Sequence, residues 1–302
     1  MNRSSLIKAE ALRLGFDACG IAQAGFVGQH AAFLDDRLKK GYGAGMKYMS
    51  NHVEKRCDPR LLVENAKSVI VVALNYYPEK KQPGHLPQIA YYAYGNDYHV
   101  VIRNKLHQLS EYVNREITSA SGRCFTDSAP VLERYWAMRA GIGFIGKNTN
   151  LIIPRKGSYF FLGELIVDIP LEYDSPVKKN YCGKCLKCLD ACPTKALEKP
   201  FCLDAGKCIS YLTIEHKGQP DEKYHLLPEN RFFGCDICQQ VCPWNRFSQP
   251  HTHPELISGN ELVSKSTEEW LRMNEEEFSN LAKNSPLFRT GLKNLQRNLQ
   301  KK

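Results

Sequence analysis

The sequence predicts an α+β fold in three consecutive parts: residues 1–175 as a mixed α/β domain, 176–250 as a small cysteine-rich module, and 251–302 as a short helical segment. Three observations predict it. A β-branched run, Ser68–Leu74 (SVIVVAL), lies among stretches of helical period. Nine of the twelve cysteines fall between Cys182 and Cys242. After them the chain turns polar, with short segments of helical character.

The elements follow in order. Leu6, Ile7, Ala11 and Leu14 sit at helical spacing with charges between them, so Leu6–Leu14 is an amphipathic helix rather than a secretory leader. Ser68–Leu74 is a buried strand. Tyr98–Ser119 has helical spacing through Val101, Leu106, Leu109 and Val113. Pro130–Ala140 reads as a helix opened by proline in its first turn. Leu151–Pro154 and the long apolar Ser158–Ile169 read as strands. Pro170–Asn180, with two prolines and several charges, reads as a linker. The cysteine module runs from about Tyr181 to Asn245, and Glu268–Leu271 and Glu275–Leu281 are short helices beyond it.

Composition narrows the class. The chain has 302 residues and 43% hydrophobic content, ordinary for a globular protein, and no run of 18 apolar residues that could span a bilayer. A cytoplasmic location is expected, with no membrane partner. The net charge of +9 admits a polyanionic partner. It is uneven: Arg289, Lys293, Arg297, Lys301 and Lys302 close the chain with no acid after Pro286. That stretch is either a phosphate-contacting tail or a solvated helix end.

The cysteines decide the chemistry. Cys182-x2-Cys185-x2-Cys188-x3-Cys192-Pro193 is the full bacterial ferredoxin run, in which the fourth cysteine serves the other cluster. The second block, Cys235-x2-Cys238-x3-Cys242-Pro243, lacks a first cysteine at the usual spacing, which Cys208 or Cys202 must supply. Three thiolates a few residues apart can wrap one cubane, and the cysteine before proline reaches its neighbour. One [4Fe–4S] cluster is therefore assigned to Cys182, Cys185, Cys188 and Cys242, the other to Cys192, Cys208, Cys235 and Cys238. Zinc sites favour two CxxC pairs across a longer loop, a poorer match. Cys19, Cys57, Cys124 and Cys202 are left as free buried thiols.

Three other features compete with simpler explanations. Gly141-Ile-Gly143-Phe-Ile-Gly146-Lys147 spells GxGxxG, but a helix precedes it and a strand follows, the reverse of a dinucleotide-binding turn. It reads instead as a tight turn packed against a cofactor. Asp127 is either an acid or the cap of the helix after it. His251 and His253 could bind a metal, though a lone pair in a polar segment is usually surface.

Taken together, Lys55-Arg56-Cys57-Asp58-Pro59, Gly95-Asn96-Asp97-Tyr98-His99, Asp127-Ser-Ala-Pro-Val-Leu-Glu133-Arg134, Gly143-Phe-Ile-Gly-Lys-Asn-Thr149, Cys208-Ile-Ser-Tyr-Leu-Thr-Ile-Glu215 and Gly234-Cys235-Asp236-Ile-Cys238, with both cysteine blocks, resemble the epoxyqueuosine reductase family of corrinoid iron–sulfur reductases. The likeness runs from about Leu6 to Asn298. It implies a nitroreductase-like N-terminal domain binding cobalamin, a ferredoxin-like module with two [4Fe–4S] clusters, and removal of the epoxide oxygen of epoxyqueuosine at the wobble position of tRNA. The positions matching corrinoid contacts are Arg56, Ala90 with Tyr91, Asp127, Leu151, Ile152, Gly163, Ser210, Cys235 and Asp236. Asp127 is implied as the proton donor, a role that calls for a raised pKa. Arg134, His216, Lys217, Lys223 and the Arg289–Lys302 tail are candidate tRNA contacts. A low-potential electron donor and a monomeric state are further expectations. Longer members of the family continue into a helical-repeat domain, whereas this chain stops at Lys302 where that domain would begin.

Two other functions compete. A small-molecule corrinoid reductase, such as a dehalogenase, typically carries a twin-arginine leader that the sequence lacks. A bare electron carrier needs only Tyr181–Asn245 and leaves the preceding 170 or so residues unexplained.

Overall fold

Every side chain of the Ser68–Leu74 run is buried, because the strand it forms lies inside a sheet covered on both faces. The computed structural model describes residues 2–218, 230–257 and 261–300. The chain opens with helix α1 (Arg3–Arg13) and strand β1 (Ala18–Gln23). Helices α2 (Gln29–Lys39) and α3 (Val53–Cys57) lead to β2 (Ser68–Asn75), then β3 (Gln88–Ile89), α4 (Tyr98–Tyr112) and β4 (Gly122–Phe125). Next come α5 (Glu133–Arg139), β5 (Phe144–Ile145), β6 (Leu151–Ile152) and β7 (Phe160–Val167). The cysteine-rich part holds α6 (Lys187–Asp190), β8 (Leu197–Lys199), β9 (Cys202–Leu203), α7 (Ile209–Ile214), β10 (Arg231–Phe233) and α8 (Ile237–Gln240). The chain closes with α9 (Glu261–Ser264), α10 (Thr267–Arg272), α11 (Glu275–Ala282) and α12 (Leu292–Leu299).

The main sheet has the order β1-β2-β7-β4, with every neighbouring pair antiparallel. Alternation along β7 sends Leu162 and Ile166 to one face and Phe161 and Leu165 to the other. The first face packs on Trp136 and Ala137 of α5, the second on Ile7 of α1 and Ile102 and Leu106 of α4. Gly163 belongs to this packing. A Cβ there would stand 2.6 Å from Ile102 Cγ2, so glycine lets α4 lie close on the sheet.

Three expectations need correction. Pro130 does not open α5, which begins at Glu133 after a cap residue, Leu132. Pro170–Asn180 carries no helix or strand, yet it is a strap rather than a free linker. Asp174 takes Lys8 Nζ at 2.6 Å and the Ile21 amide at 2.8 Å, and Glu172 takes the Ser4 hydroxyl at 2.6 Å. The closing segment is not merely polar helix. Leu262, Trp270, Phe278, Leu287, Leu292 and Leu295 form a third core with Ile89, Ala93, Phe232 and Phe233. Burial of each large apolar side chain contributes roughly 1.5–3 kcal/mol before entropy is charged against it. The parallel pair β3–β10 ties this core to the first part of the chain. Capping boxes at Ser266/Glu269 and Asn274/Glu277 start α10 and α11.

Candidate active site

The seven cysteines of the two blocks, with Cys208, fall into two groups of four. Cys182, Cys185, Cys188 and Cys242 line one cavity of about 120 Å³, together with Ile152, Tyr181 and Trp244. In the other group burial pushes the Cys238 thiol up, and Cys235 and Cys208 lie close enough to add to the shift. Cys208 in turn feels Cys192. The last cysteine of each block therefore joins the other block's group. Cys188 also reaches Cys238, so the groups are neighbours. Cys202 is not among them: it is buried in β9, where Arg37 donates to its sulfur. Among the described residues no three His, Cys, Asp or Glu side chains are placed to hold a single metal ion. The ferredoxin-type spacing of the two blocks along the chain suits thiolates around an iron–sulfur cluster.

The glycine turn grips both cysteine loops. Lys147 Nζ donates to the carbonyls of Gly183 at 2.7 Å and Cys185 at 3.0 Å. Asn148 Nδ2 donates to the Cys238 carbonyl at 3.3 Å. A Cβ on Gly143 would lie 2.5 Å from the Ile152 carbonyl oxygen, so the β5–β6 hairpin requires glycine there. The turn thus serves the cysteine loops.

Asp127 lies outside the cysteine loops at the end of β4, in the left-handed region (φ 51°). Its side chain is 55% exposed. Tyr98 donates its hydroxyl to Asp127 Oδ2 at 2.6 Å, and His99 Nε2 lies 3.3 Å from the same oxygen. His99 Nδ1 is held by Asp97 Oδ1 at 2.7 Å. Asp127 therefore does not cap α5. Nor is its carboxyl raised, as a resting proton donor requires. The bond from His99 holds it below the ordinary range against desolvation, and Tyr98 and the charge of Arg289 assist. Desolvation pulls His99 down, but the Asp127 and Asp97 carboxylates raise the ring to about 9.

The other positions expected at a corrinoid are distributed as follows. Arg56 is buried, donates to the Tyr48 carbonyl at 3.1 Å, and has no partner for its Nε. Ala90 and Tyr91 meet the Cys235–Asp236 turn: the Ala90 amide donates to the Phe233 carbonyl at 2.8 Å and the Tyr91 amide to Asp236 Oδ2 at 2.8 Å. Burial pushes the Asp236 carboxyl up to about 6. Leu151 and Ile152 form β6, and Ile152 borders the first cysteine cavity. Ser210 sits on α7, two residues after Cys208, and helps to lower its thiol against the rise that burial causes. Gly163 faces α4 across the sheet from α5.

Of the basic candidates, Arg134 is exposed and donates to the Thr149 carbonyl at 2.6 Å. Lys217 is exposed and His216 half-buried, while Lys223 lies outside the described residues. The closing segment is not a free tail up to Gln300. Arg289 pairs with Glu215 at 2.9 Å, and Arg297 donates to the carbonyls of Leu212, His216 and Gly218. His253 Nε2 lies 3.1 Å from Asp17 Oδ2, with His251 stacked beside it.

Sequence reasoning passed over two acids. Glu133 accepts the Asp127 amide and is pushed up to about 8 by burial and then by the Asp127 charge. Glu164 is 0% exposed, and neither of its carboxylate oxygens has a hydrogen-bond partner. Burial, then the charges of Glu133 and Asp127, raises it well above the carboxylate range. Its signal was a lone acid in the apolar run Phe160–Val167.

Comparison with known proteins follows the same lines. Residues 181–245 match a family described as a 4Fe-4S double cluster binding domain, and residues 56–128 match Epoxyqueuosine reductase QueG, DUF1730. The chain is 48% identical over 296 residues to the epoxyqueuosine reductase of Cellulophaga algicola, covering 98% of this chain and 96% of the relative. It is 40% identical over 292 residues to that of Escherichia coli, covering 94% of this chain and 76% of the relative. A crystal structure of epoxyqueuosine reductase with a tRNA-Tyr epoxyqueuosine-modified stem loop is similar at TM-score 0.89 and 34% identity, covering 98% of this chain and 79% of that one. The structure from Streptococcus thermophilus is similar at TM-score 0.89 and 30% identity, covering 99% and 80%.

Proposed function

The chain belongs to the epoxyqueuosine reductase family, and from that membership we propose that it reduces epoxyqueuosine to queuosine at the wobble position of tRNA, the epoxide oxygen leaving as water. The observation that carries the reading is the presence, in one chain of this family, of an exposed, doubly hydrogen-bonded Asp127 and of two neighbouring groups of four cysteines. Cys182, Cys185, Cys188 and Cys242 would hold one [4Fe–4S] cluster, and Cys192, Cys208, Cys235 and Cys238 the other. When bound, the clusters supply electrons one at a time from a low-potential donor to a cobalamin that carries out the reduction.

The chain's own residues position and protonate. Arg56 fits a corrinoid: its buried Nε lacks an acceptor, and a corrin ring is fringed with amide carbonyls. Ala90, Asp127, Leu151, Ile152, Gly163, Ser210, Cys235 and Asp236 complete the proposed contacts. Asp127 is exposed, and its carboxyl would hand a proton to the oxygen released from the opening epoxide. Tyr98 and His99 fix the carboxyl's direction. Arg134, His216 and Lys217 offer basic groups to the anticodon phosphates.

Residues 1–175 are proposed as a nitroreductase-like domain, 176–250 as a ferredoxin-like module and 251–302 as a helical segment, in a monomer. The test is anaerobic reconstitution with iron, sulfide and cobalamin, then incubation with epoxyqueuosine-containing tRNA and a low-potential reductant. Mass spectrometry of the nucleoside should show loss of one oxygen only when cobalamin is present. An intact epoxide with both clusters and a corrinoid loaded would overturn the reading.

A further inference from the structure

Resting on the reductase reading, we propose that Glu133 and Glu164 form a proton store behind Asp127, recharging its carboxyl and supplying the second of the two protons that carry the epoxide oxygen away as water. The balance requires such a store. Opening the epoxide and expelling its oxygen consumes two electrons, from the low-potential donor, and two protons. The two C–O bonds break, an alkene forms, and the oxygen becomes water. Asp127 holds one transferable proton at most, and its surroundings favour the ionised form. A group that rests ionised must be charged from behind or from solvent before it can act as an acid.

The geometry places acids behind it. The Glu133 carboxyl takes the Asp127 amide, so it lies directly against the Asp127 backbone. Glu164 pairs across the sheet with Phe125, two residues before Asp127. Its neighbours on the same face of β7, Leu162 and Ile166, pack in one core with Trp136 and Ala137 of α5, whose first residue is Glu133. Asp127, Glu133 and Glu164 thus lead from an exposed carboxyl to one buried in the sheet.

Glu164 has no structural reason to be an acid. Among the described residues its carboxylate oxygens have no hydrogen-bond partner, and an ionised carboxylate buried without partners is prohibitively costly, so it rests protonated. A leucine would pack better in a strand otherwise built of apolar residues. Among the described residues, Asp127 feels His99, Tyr98 and Arg289 and acts on Tyr48 and Tyr92; Glu133 feels Asp127, Arg134 and His99 and acts on Tyr98; Glu164 feels Glu133 and Asp127. Arg134 spends one donor on the Thr149 carbonyl, and its charge is not enough to keep Glu133 ionised at neutral pH.

Glu133 and Glu164 are positioning residues that act through Asp127, and the test uses readouts beyond turnover. In the cofactor-free protein, infrared difference spectroscopy at neutral pH should show protonated-carboxyl bands, one lost in Glu164→Gln and another in Glu133→Gln. In the reconstituted enzyme both variants should lower kcat by about tenfold or more with the KM for tRNA unchanged. The parent rate should fall as pH rises through about 8, where Glu133 empties, and Glu133→Gln should remove that limb. Glu133→Asp should restore part of the rate. Glu164→Leu, which cannot lose stability through an unpaired charge, repeats the kinetic test in a well-packed background. Absence of both bands, or parental kcat and alkaline limb in both glutamine variants, overturns the proton store while leaving the reductase reading intact. A parent enzyme unable to reduce the tRNA sinks the reductase reading, and the store with it.

Discussion

The Tyr98 hydroxyl and the Asp127 carboxylate are 2.6 Å apart, joining the first residue of α4 to the strained turn after β4. Tyr98 also stacks on Phe161 with ring centroids 4.1 Å apart, so the sheet itself aims the hydroxyl. Removing that hydroxyl should free Asp127 from one of the donors that keep it ionised. Carbon-13 NMR of the carboxyl should show Asp127 titrating at higher pH in Tyr98→Phe than in the parent. Asp127→Ala should abolish epoxide reduction, a loss of about a hundredfold or more, with the iron–sulfur absorption unchanged.

Stability should fall as the solution becomes alkaline. His99 is raised from 6.5 to about 9 in the folded protein, so its contribution is fully present below pH 6.5 and is lost as pH climbs through about 9. Glu133, raised from 4.5 to about 8, favours its neutral form and loses its contribution over that interval. Urea unfolding at stepped pH should show the decline, and His99→Gln should flatten its upper part by on the order of 2 kcal/mol.

Replacing Glu164 with leucine should raise stability. The carboxyl is fully buried and unpartnered, so its removal relieves a desolvation cost of about 1–3 kcal/mol. A higher urea midpoint at pH 7 with an unchanged denaturant slope would check this. A lower midpoint would mean that Glu164 holds a structural partner.

Cys208 and Cys202 should behave oppositely on reconstitution. Cys208→Ser removes a member of the second group and should cut bound iron by about half or more, whereas Cys202→Ser should leave iron content unchanged. Lys147→Ala should weaken the first group, because its ammonium holds the Gly183 and Cys185 carbonyls. Each charge-assisted bond of that kind contributes about 1.5–3 kcal/mol. Faster bleaching of the iron–sulfur band under chelator would report the loss.

The cysteine arrangement was legible in the sequence because the spacing is itself the chemistry: three thiols within seven residues can hardly serve anything but one polynuclear site. The strands at Ser68 and Ser158 were legible for a similar reason, since two-sided burial leaves an unbroken apolar run. Asp127 could be singled out, but its surroundings could not. His99 and Tyr98 stand 28 and 29 residues away, and only the fold sets their direction. The expected raised carboxyl was transferred to Asp127 when the structure puts it on Glu133 and Glu164. Arg289 and Arg297 were counted as free charge because their partners, Glu215 and the carbonyls of α7 and the turn after it, lie more than 70 residues back.

The exchange of Cys192 and Cys242 between the two groups has a consequence for how the protein matures. Each cysteine loop is anchored at its end in its neighbour's site, so neither can be filled and closed alone. Inserting one cluster lowers the entropy cost of closing the other loop, and loss of either loosens both. Assembly and decay of the metal centres should therefore be all-or-none, like the mutual locking of two links in a chain, and half-loaded molecules should be scarce at every stage of iron uptake.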